Sequence, residues 1–312
     1  MLEASTVCQL ELAVDPLYLD FFLNFAPTGC SHQHDIAPER VDRLSSDMSH
    51  RITTAACLII GDEVLNAKIK DLNSYSFAKY CFELGIELRK VMVVPDESDE
   101  IVEAIRSMQR YDFVVTSGGI GPTHDDITYE SLAKAYNLPV EIDKETEARM
   151  NRLAKNPPKD RPALERQAAL RMATFPRGPN VTKYFVADDL WVPVVAIDHR
   201  IHVLPGIPRL FNRLLNGLMP LLVDRLDTRK YIRRYISTKM SESGMAAPLT
   251  ELQEKYGPDG VKIGSYPHIE CGCNTVSIIC NHENDLSDKV VAEVIEKVAG
   301  HEISADEEAK LH

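Results

Sequence analysis

Ser117-Gly118-Gly119-Ile120-Gly121-Pro122-Thr123-His124-Asp125-Asp126 joins a glycine-rich loop to two adjacent carboxylates, a combination that suits one phosphate and one metal ion. Glycines take positive φ and let backbone N–H groups approach an anion with no Cβ in the way. Pro122 stiffens the exit of the loop. Two aspartates at this place suit either of two roles: capping the helix that follows, or holding a divalent cation against a substrate phosphate as hard oxygen ligands. A lone Gly-Gly-x-Gly would read as a simple turn. The adjoining Pro-Thr-His-Asp-Asp favours the functional reading.

The loop needs a strand before it and a helix after it. Tyr111–Thr116 is a short β-branched run of the buried parallel-strand kind. From Asp126 to Tyr136 apolar residues recur at helical spacing, so the loop is expected to end at a helix N-terminus, which favours phosphate. Upstream, Thr53–Ile60 reads as a first strand ending at Gly61-Asp62-Glu63. A helix then runs from Asp71-Leu72-Asn73-Ser74 to Gly85, followed by a second strand over Glu87–Pro95 and an amphipathic helix over Asp96–Met108. Strands alternating with helices across short links predict an α/β layer fold with a mostly parallel sheet flanked by helices. Ligands in such sheets lie at the carboxyl ends of strands, where both Gly61-Asp62-Glu63 and the glycine loop fall.

Downstream, residues 145–175 are charged and interrupted by Asn156–Pro162, and read as a surface helix pair or as a cover over the site. Leu190–Ile197 and Arg200–Leu204 read as a hairpin, and Pro205-Gly206-Ile207-Pro208 as a tight turn into a helix. Residues 231–298 predict strand, helix, strand, strand, helix, enough for a small α+β domain. The expected division is therefore an acidic, flexible extension over 1–47, a main domain over 48–225, a small domain over 226–300 and an acidic tail over 301–312.

The net charge of −12 sits mostly at the ends: residues 1–47 carry eight acids against two arginines, and the last twelve residues four acids against one lysine. Residues 1–47 thus lack the charge of an Arg-rich organelle presequence. With no basic stripe and no apolar run near the length of a membrane span, neither nucleic acid nor membrane is an expected partner. Seven cysteines, odd in number and without zinc spacing, fit reduced thiols in the cytoplasm. Cys271-Gly272-Cys273 reads as a strand edge with small residues. Cys30, His32 and His34 make only a weak metal cluster.

Four motifs together carry a family resemblance: Ile60-Gly61-Asp62-Glu63-Val64-Leu65, Leu72-Asn73-Ser74, Gly118–Thr128 and Leu204-Pro205-Gly206-Ile207-Pro208. In this order they resemble the MoaB/Mog-like molybdopterin-binding domain, above all its version in CinA proteins and at the N-terminus of eukaryotic FAD synthase. Residues 231–298 are similar to the small domain that follows in CinA-type chains. Asn66-Ala67-Lys68-Ile69-Lys70 departs from the pattern, standing where relatives commonly have a glycine. The residues show neither the domain that joins AMP to FMN nor the CinA amidase domain, so synthesis of FAD is not expected from them.

The resemblance implies metal-dependent hydrolysis of a dinucleotide pyrophosphate, FAD to FMN and AMP or a similar cut of ADP-ribose. On that reading Asp125 and Asp126, aided by Asp62 or Glu63, hold Mg²⁺, Mn²⁺ or Co²⁺, and His124 acts as acid or base. The N–H groups of Gly118, Gly119 and Gly121 stabilise phosphate charge. Ser117, Thr123 and Asn73 contact phosphate or ribose, Pro122, Pro205 and Gly206 shape the pocket, and Gln167 adds a contact. Two other readings use the same loop: binding or adenylylating molybdopterin, and a non-catalytic flavin- or nucleotide-binding regulatory module. The resemblance also implies a small-molecule nucleotide or pterin partner and a homo-oligomer.

Overall fold

A computed structural model describes residues 50–226, 231–281 and 286–311. The expectations for residues 1–47, including Cys30, His32 and His34, lie outside them. The described chain forms two compact units. The first holds His50, Ala56–Ser74 and Lys90–Val223, and the second holds Arg51–Ala55, Tyr75–Arg89 and the described residues from Asp224 onward.

The strands of the first part of the chain are β1 Thr54–Ile60, β2 Glu87–Val94, β3 Phe113–Ser117, β4 Val140–Ile142, β5 Thr174–Pro176, β6 Val181–Tyr184, β7 Val194–Ile197 and β8 Ile201–Leu204. Six of them form one mixed, mostly parallel sheet in the order β2-β1-β3-β8-β7-β6. Its central strands β1 and β3 are buried on both faces except at Thr54, which starts β1, and are mostly apolar as such strands are. The edge strand β2 carries Glu87, Arg89 and Lys90, charges that discourage further strand pairing.

The helix Ser98–Met108 turns Ile101, Val102, Ala104, Ile105 and Met108 inward. Ile101, Ala104, Ile105 and Met108 join Leu58, Ile60, Val114, Tyr129 and Leu132 in the core of the first unit. Each such side chain contributes about 1.5–3 kcal/mol by leaving water, so a Leu58→Ala change would cost about 2–5 kcal/mol.

The expected hairpin is present but its first strand starts at Val194, after Pro193, which has no N–H to give a ladder. Its turn places Asp198 and His199 at φ 55° and 50°, and Arg200 N donates to Ile197 O at 3.0 Å. Left-handed residues match the right-handed strand twist there. This hairpin sets β8 parallel to β3, with Ser117 opposite Leu204. Two proline- or glycine-bearing loops therefore leave the sheet side by side.

Residues 145–175 are a helix pair, Lys144–Leu153 and Ala163–Arg171, bracketed by a two-stranded ribbon of β4 and β5 that periodicity did not show.

The second unit contains β9 Tyr231–Thr238, β10 Lys262–His268, β11 Cys273–Asn281 and β12 His301–Ile303, ordered β10-β11-β9-β12, with the helices Glu242–Tyr256 and Ser287–Val298. Its core joins Ile236, Met245, Leu252, Val276, Ile278, Val290 and Val294. Residues 301–303 are not a tail but an edge strand on β9, clamped where Arg234 donates to Glu302 and Asp288. Within this unit Phe82 stacks on Tyr231 at 5.8 Å, Arg233 lies over Phe82, and Lys262 pairs with Glu87 at 2.6 Å. The division cuts through β1, β2 and the helix Asn73–Glu83 rather than falling in a linker.

Candidate functional site

Gly118 and Gly119 follow β3 with φ of 107° and 64°. A Cβ on Gly118 would lie 2.1 Å from the Ile60 carbonyl oxygen, and one on Gly119 would lie 2.3 Å from Thr128 Oγ1. The glycines are thus demanded by the packing of the loop against the end of β1 and against its own exit. Thr128 completes the clasp: its N–H donates to Gly119 O at 3.0 Å and its hydroxyl to Gly118 O at 2.9 Å. The helix begins at Thr128, not Asp126, and neither aspartate caps it.

Asp126 has a different task. Its carboxylate accepts from Gly121 N at 2.5 Å through one oxygen, and from Thr123 N and Oγ1 at 2.8 and 2.5 Å through the other. Both oxygens accept hydrogen bonds within the loop, so Asp126 braces it. The same bond withdraws the Gly121 amide from a phosphate cradle, and the Gly118 amide is withdrawn by Leu204 O at 3.3 Å. Of the three expected amides, Gly119 alone has no partner among the described residues.

Asn73 ties the loops together. It is buried, and its amide nitrogen donates to Ser117 Oγ at 2.8 Å and to Gly206 O at 2.7 Å, while Ser117 Oγ also reaches Pro205 O at 3.4 Å. Its Oδ1 is buried without a hydrogen-bond partner. Asn73 is therefore a clamp between two strand ends. Gly206 sits so close to Gly118 that a Cβ on it would meet Gly118 Cα at 3.4 Å.

The carboxylates beside this clamp come from three successive strand ends. Asp62 N donates to Asp96 Oδ2 at 3.0 Å, which joins the loop after β1 to the loop after β2. Burial, opposed by that N–H, and then the charges of Glu63, Asp62 and Asp125 push the Asp96 carboxyl above the usual range. Asp125 is held below it by polar and positive surroundings, the nearby Thr123 hydroxyl first, then its own backbone N–H and the charges of His124 and Arg171. Asp96 went unnoticed in the sequence because it reads only as the start of a helix.

Arg171 was also missed. From the last turn of the helix Ala163–Arg171 its Nη2 donates to the Asp126 main-chain carbonyl at 2.9 Å and to Glu130 at 3.4 Å. Gln167, one turn earlier, is exposed, and Pro122 is half-buried at the loop's bend. The His124 side chain is 98% exposed, with only Asp125 near it at 3.9 Å.

Among the described residues no three His, Cys, Asp or Glu side chains converge tightly enough to hold a metal by themselves. Asp62, Glu63, Asp96 and Asp125 are all oxygen donors, the chemistry a hard cation takes together with substrate phosphate and water. Burial with like charges at Asp96 is what such a cation would relieve.

The model of a probable molybdopterin binding domain matches residues 56–224, more than half of the chain. The chain belongs to this molybdopterin-binding domain family. A second model, the middle domain of FAD synthase, matches residues 230–307, which includes the strand β12. This member of the family is 31% identical over 272 residues to a probable FAD synthase of Caenorhabditis elegans, covering 83% of this chain and 52% of the relative. A CinA-like protein of Myxococcus xanthus is 32% identical over 226 residues, 70% of this chain and 50% of its own. A protein of Pyrococcus abyssi is 32% identical over 248 residues, 76% of this chain and 94% of its own. The chain thus spans about half the length of the FAD synthase and CinA-like relatives. A crystal structure of CinA from Thermoplasma acidophilum, a protein of unknown function, aligns at 27% identity over 55% of this chain and 98% of its own, with a TM-score of 0.48. No helix among the described residues is long and apolar enough to cross a membrane.

Proposed function

We propose that this chain hydrolyses the pyrophosphate of a dinucleotide in a divalent-metal-dependent reaction, with FAD cut to FMN and AMP as the leading case. The observation that carries the reading is the placement of acidic residues after three neighbouring strands of one sheet, Asp62 with Glu63, Asp96, and Asp125, with the loops after β1 and β2 joined by the Asp62 N–H to Asp96 bond and the glycine loop clamped by Asn73. The FAD synthase relatives and the match of residues 230–307 support a flavin nucleotide as the substrate.

Asp96 and Asp125, with Asp62 or Glu63, would hold the cation together with the phosphate oxygens. When bound, Mg²⁺, Mn²⁺ or Co²⁺ supplies charge that polarises the anhydride and lowers the pKa of attacking water. The Gly119 amide offers a hydrogen bond to a phosphate oxygen. Asn73, Thr123 and Asp126 act on the loops rather than on the substrate: they fix the backbone so that little reorganisation is needed when the nucleotide arrives. Arg171 holds the backbone of Asp126 and sets a positive charge near Asp125.

The match to the molybdopterin binding domain over residues 56–224 supports a second reading, in which the same loop binds or adenylylates molybdopterin. One set of incubations separates the two. Purified protein is mixed with FAD, ADP-ribose or NADH and with Mg²⁺, Mn²⁺ or Co²⁺, and AMP is measured by chromatography. AMP release that needs a metal is the expected result. Absence of AMP with every metal overturns the hydrolase reading; tight molybdopterin binding would then favour the second, and tight FAD binding without turnover a regulatory module.

A further inference from the structure

Cys57, Cys81 and Cys280 are buried, as free cysteines usually are, whereas Cys271 is exposed and Cys273 half-buried. The two stand on either side of Gly272 at the tip of the β10–β11 hairpin. The last pair of that ladder is His268 with Cys273. His268 is buried and bonded to Thr275 Oγ1 at 2.8 Å and to Leu311 O at 3.2 Å, so the base of the tip is fixed. Cys271 ends a short 3₁₀ turn beyond it, next to Ile269, which is 90% exposed.

Gly272 takes φ 61° and ψ 31°. A left-handed central residue folds the chain so that its neighbours' Cα atoms come within about 5.5 Å, inside the range that a disulfide spans. In an extended strand the same two atoms would stand near 7 Å apart, at the limit of that range. A Cβ on Gly272 would meet nothing within 4 Å, so the glycine answers to the left-handed backbone and not to crowding.

We propose that Cys271 and Cys273 form a reversible dithiol–disulfide site that exchanges with small-molecule disulfides. The exposed Cys271 thiolate attacks one sulfur of the disulfide RSSR, forming a mixed disulfide and releasing one RS⁻. The Cys273 thiolate then attacks Cys271 Sγ and releases the second RS⁻. The protein pair is oxidised by two electrons, and RSSR is reduced to two thiols after the leaving thiolates take up the protons lost by the cysteines. Closing so small a ring strains the bond, which makes it easily reduced again.

The test equilibrates the full chain with glutathione disulfide and glutathione at a series of ratios, quenches by alkylation and maps the cysteines by mass spectrometry. The expected result is loss of the Cys271 and Cys273 thiols together, as an intramolecular disulfide that returns to dithiol when the ratio is reversed. Cys273→Ser is expected to trap a glutathione adduct on Cys271, and Cys271→Ser to make Cys273 react ~tenfold or more slowly. Circular dichroism of both variants checks that the fold is unchanged. A stable adduct on Cys271 with Cys273 still alkylated, a disulfide-linked dimer, or no oxidation at any ratio would each overturn the proposal.

Discussion

Arg171 donates from its guanidinium to the main-chain carbonyl of Asp126 across 2.9 Å, tying the end of a helix in the charged segment to the glycine loop 45 residues earlier. The loop that braces itself through the Asp126 side chain is thus held from outside through the Asp126 backbone.

Replacing Arg171 by Met should lower kcat/KM for AMP release by roughly 10–100-fold, because small displacements of positioned groups carry such costs. Arg171→Lys should restore part of the loss through its charge. Urea unfolding should move by no more than about 1 kcal/mol, since the Glu130 pair is largely solvated. Equal activity in wild type and Arg171→Met would remove this role.

Asn73→Ala should destabilise the protein by about 1–3 kcal/mol, the usual cost of leaving buried polar partners unmet. Gly206 O and Ser117 Oγ are the groups left behind. Thermal unfolding measures the loss, and nucleotide binding should weaken with it. A midpoint unchanged from wild type would show that the clamp is dispensable.

Asp96→Asn should raise the thermal midpoint of metal-free protein at neutral pH while abolishing metal-dependent turnover. Burial and three neighbouring carboxylates disfavour the ionised form, and the amide removes that penalty. A variant both less stable and fully active would contradict the assignment.

Glu302 is held below the usual carboxylate range by its hydrogen bonds from Arg234. A depressed folded-state pKa contributes stability above the unfolded-state value and loses it as pH falls through the folded-state value. Glu302→Gln should therefore lower the midpoint at pH 7, with the gap to wild type closing as the pH drops below the carboxylate range. A gap that stays constant with pH would assign the effect to packing instead.

Truncation after Gly300 should cost about 1–3 kcal/mol in the second unit. It removes the β12 ladder on β9 and the bond between the Leu311 carbonyl and the buried His268. Chemical denaturation of the truncated chain checks this. An unaltered curve would return these residues to the status of a tail.

The principal strands, the helices and the hairpin were legible in the sequence because continuous apolar runs and 3.6-residue spacing report burial directly. The site was legible only in part. Gly118, Gly119 and Asn73 signal a tight junction from their types alone. Asp96 lies 34 residues from Asp62, and only the sheet order β2-β1-β3 makes their loops neighbours. Arg171 comes from a segment whose charges read as surface. The bracing bonds of Asp126 are not legible in sequence, because a carboxylate bonded to backbone N–H groups and one offered to a cation look alike there. The three-residue strands β4, β5 and β12 are too short for any period to show.

Gly118 lies against the carbonyl that ends β1, with no room for even a methyl group. That restriction comes from the scaffold and would persist in a protein that had stopped turning over any nucleotide. A chain could lose its chemistry and keep its glycine signature, so the signature is a marker of architecture. Asp62, Glu63, Asp96 and Asp125 are under no such steric obligation, and on the proposed metal-dependent reading they are the positions to compare among chains of this kind.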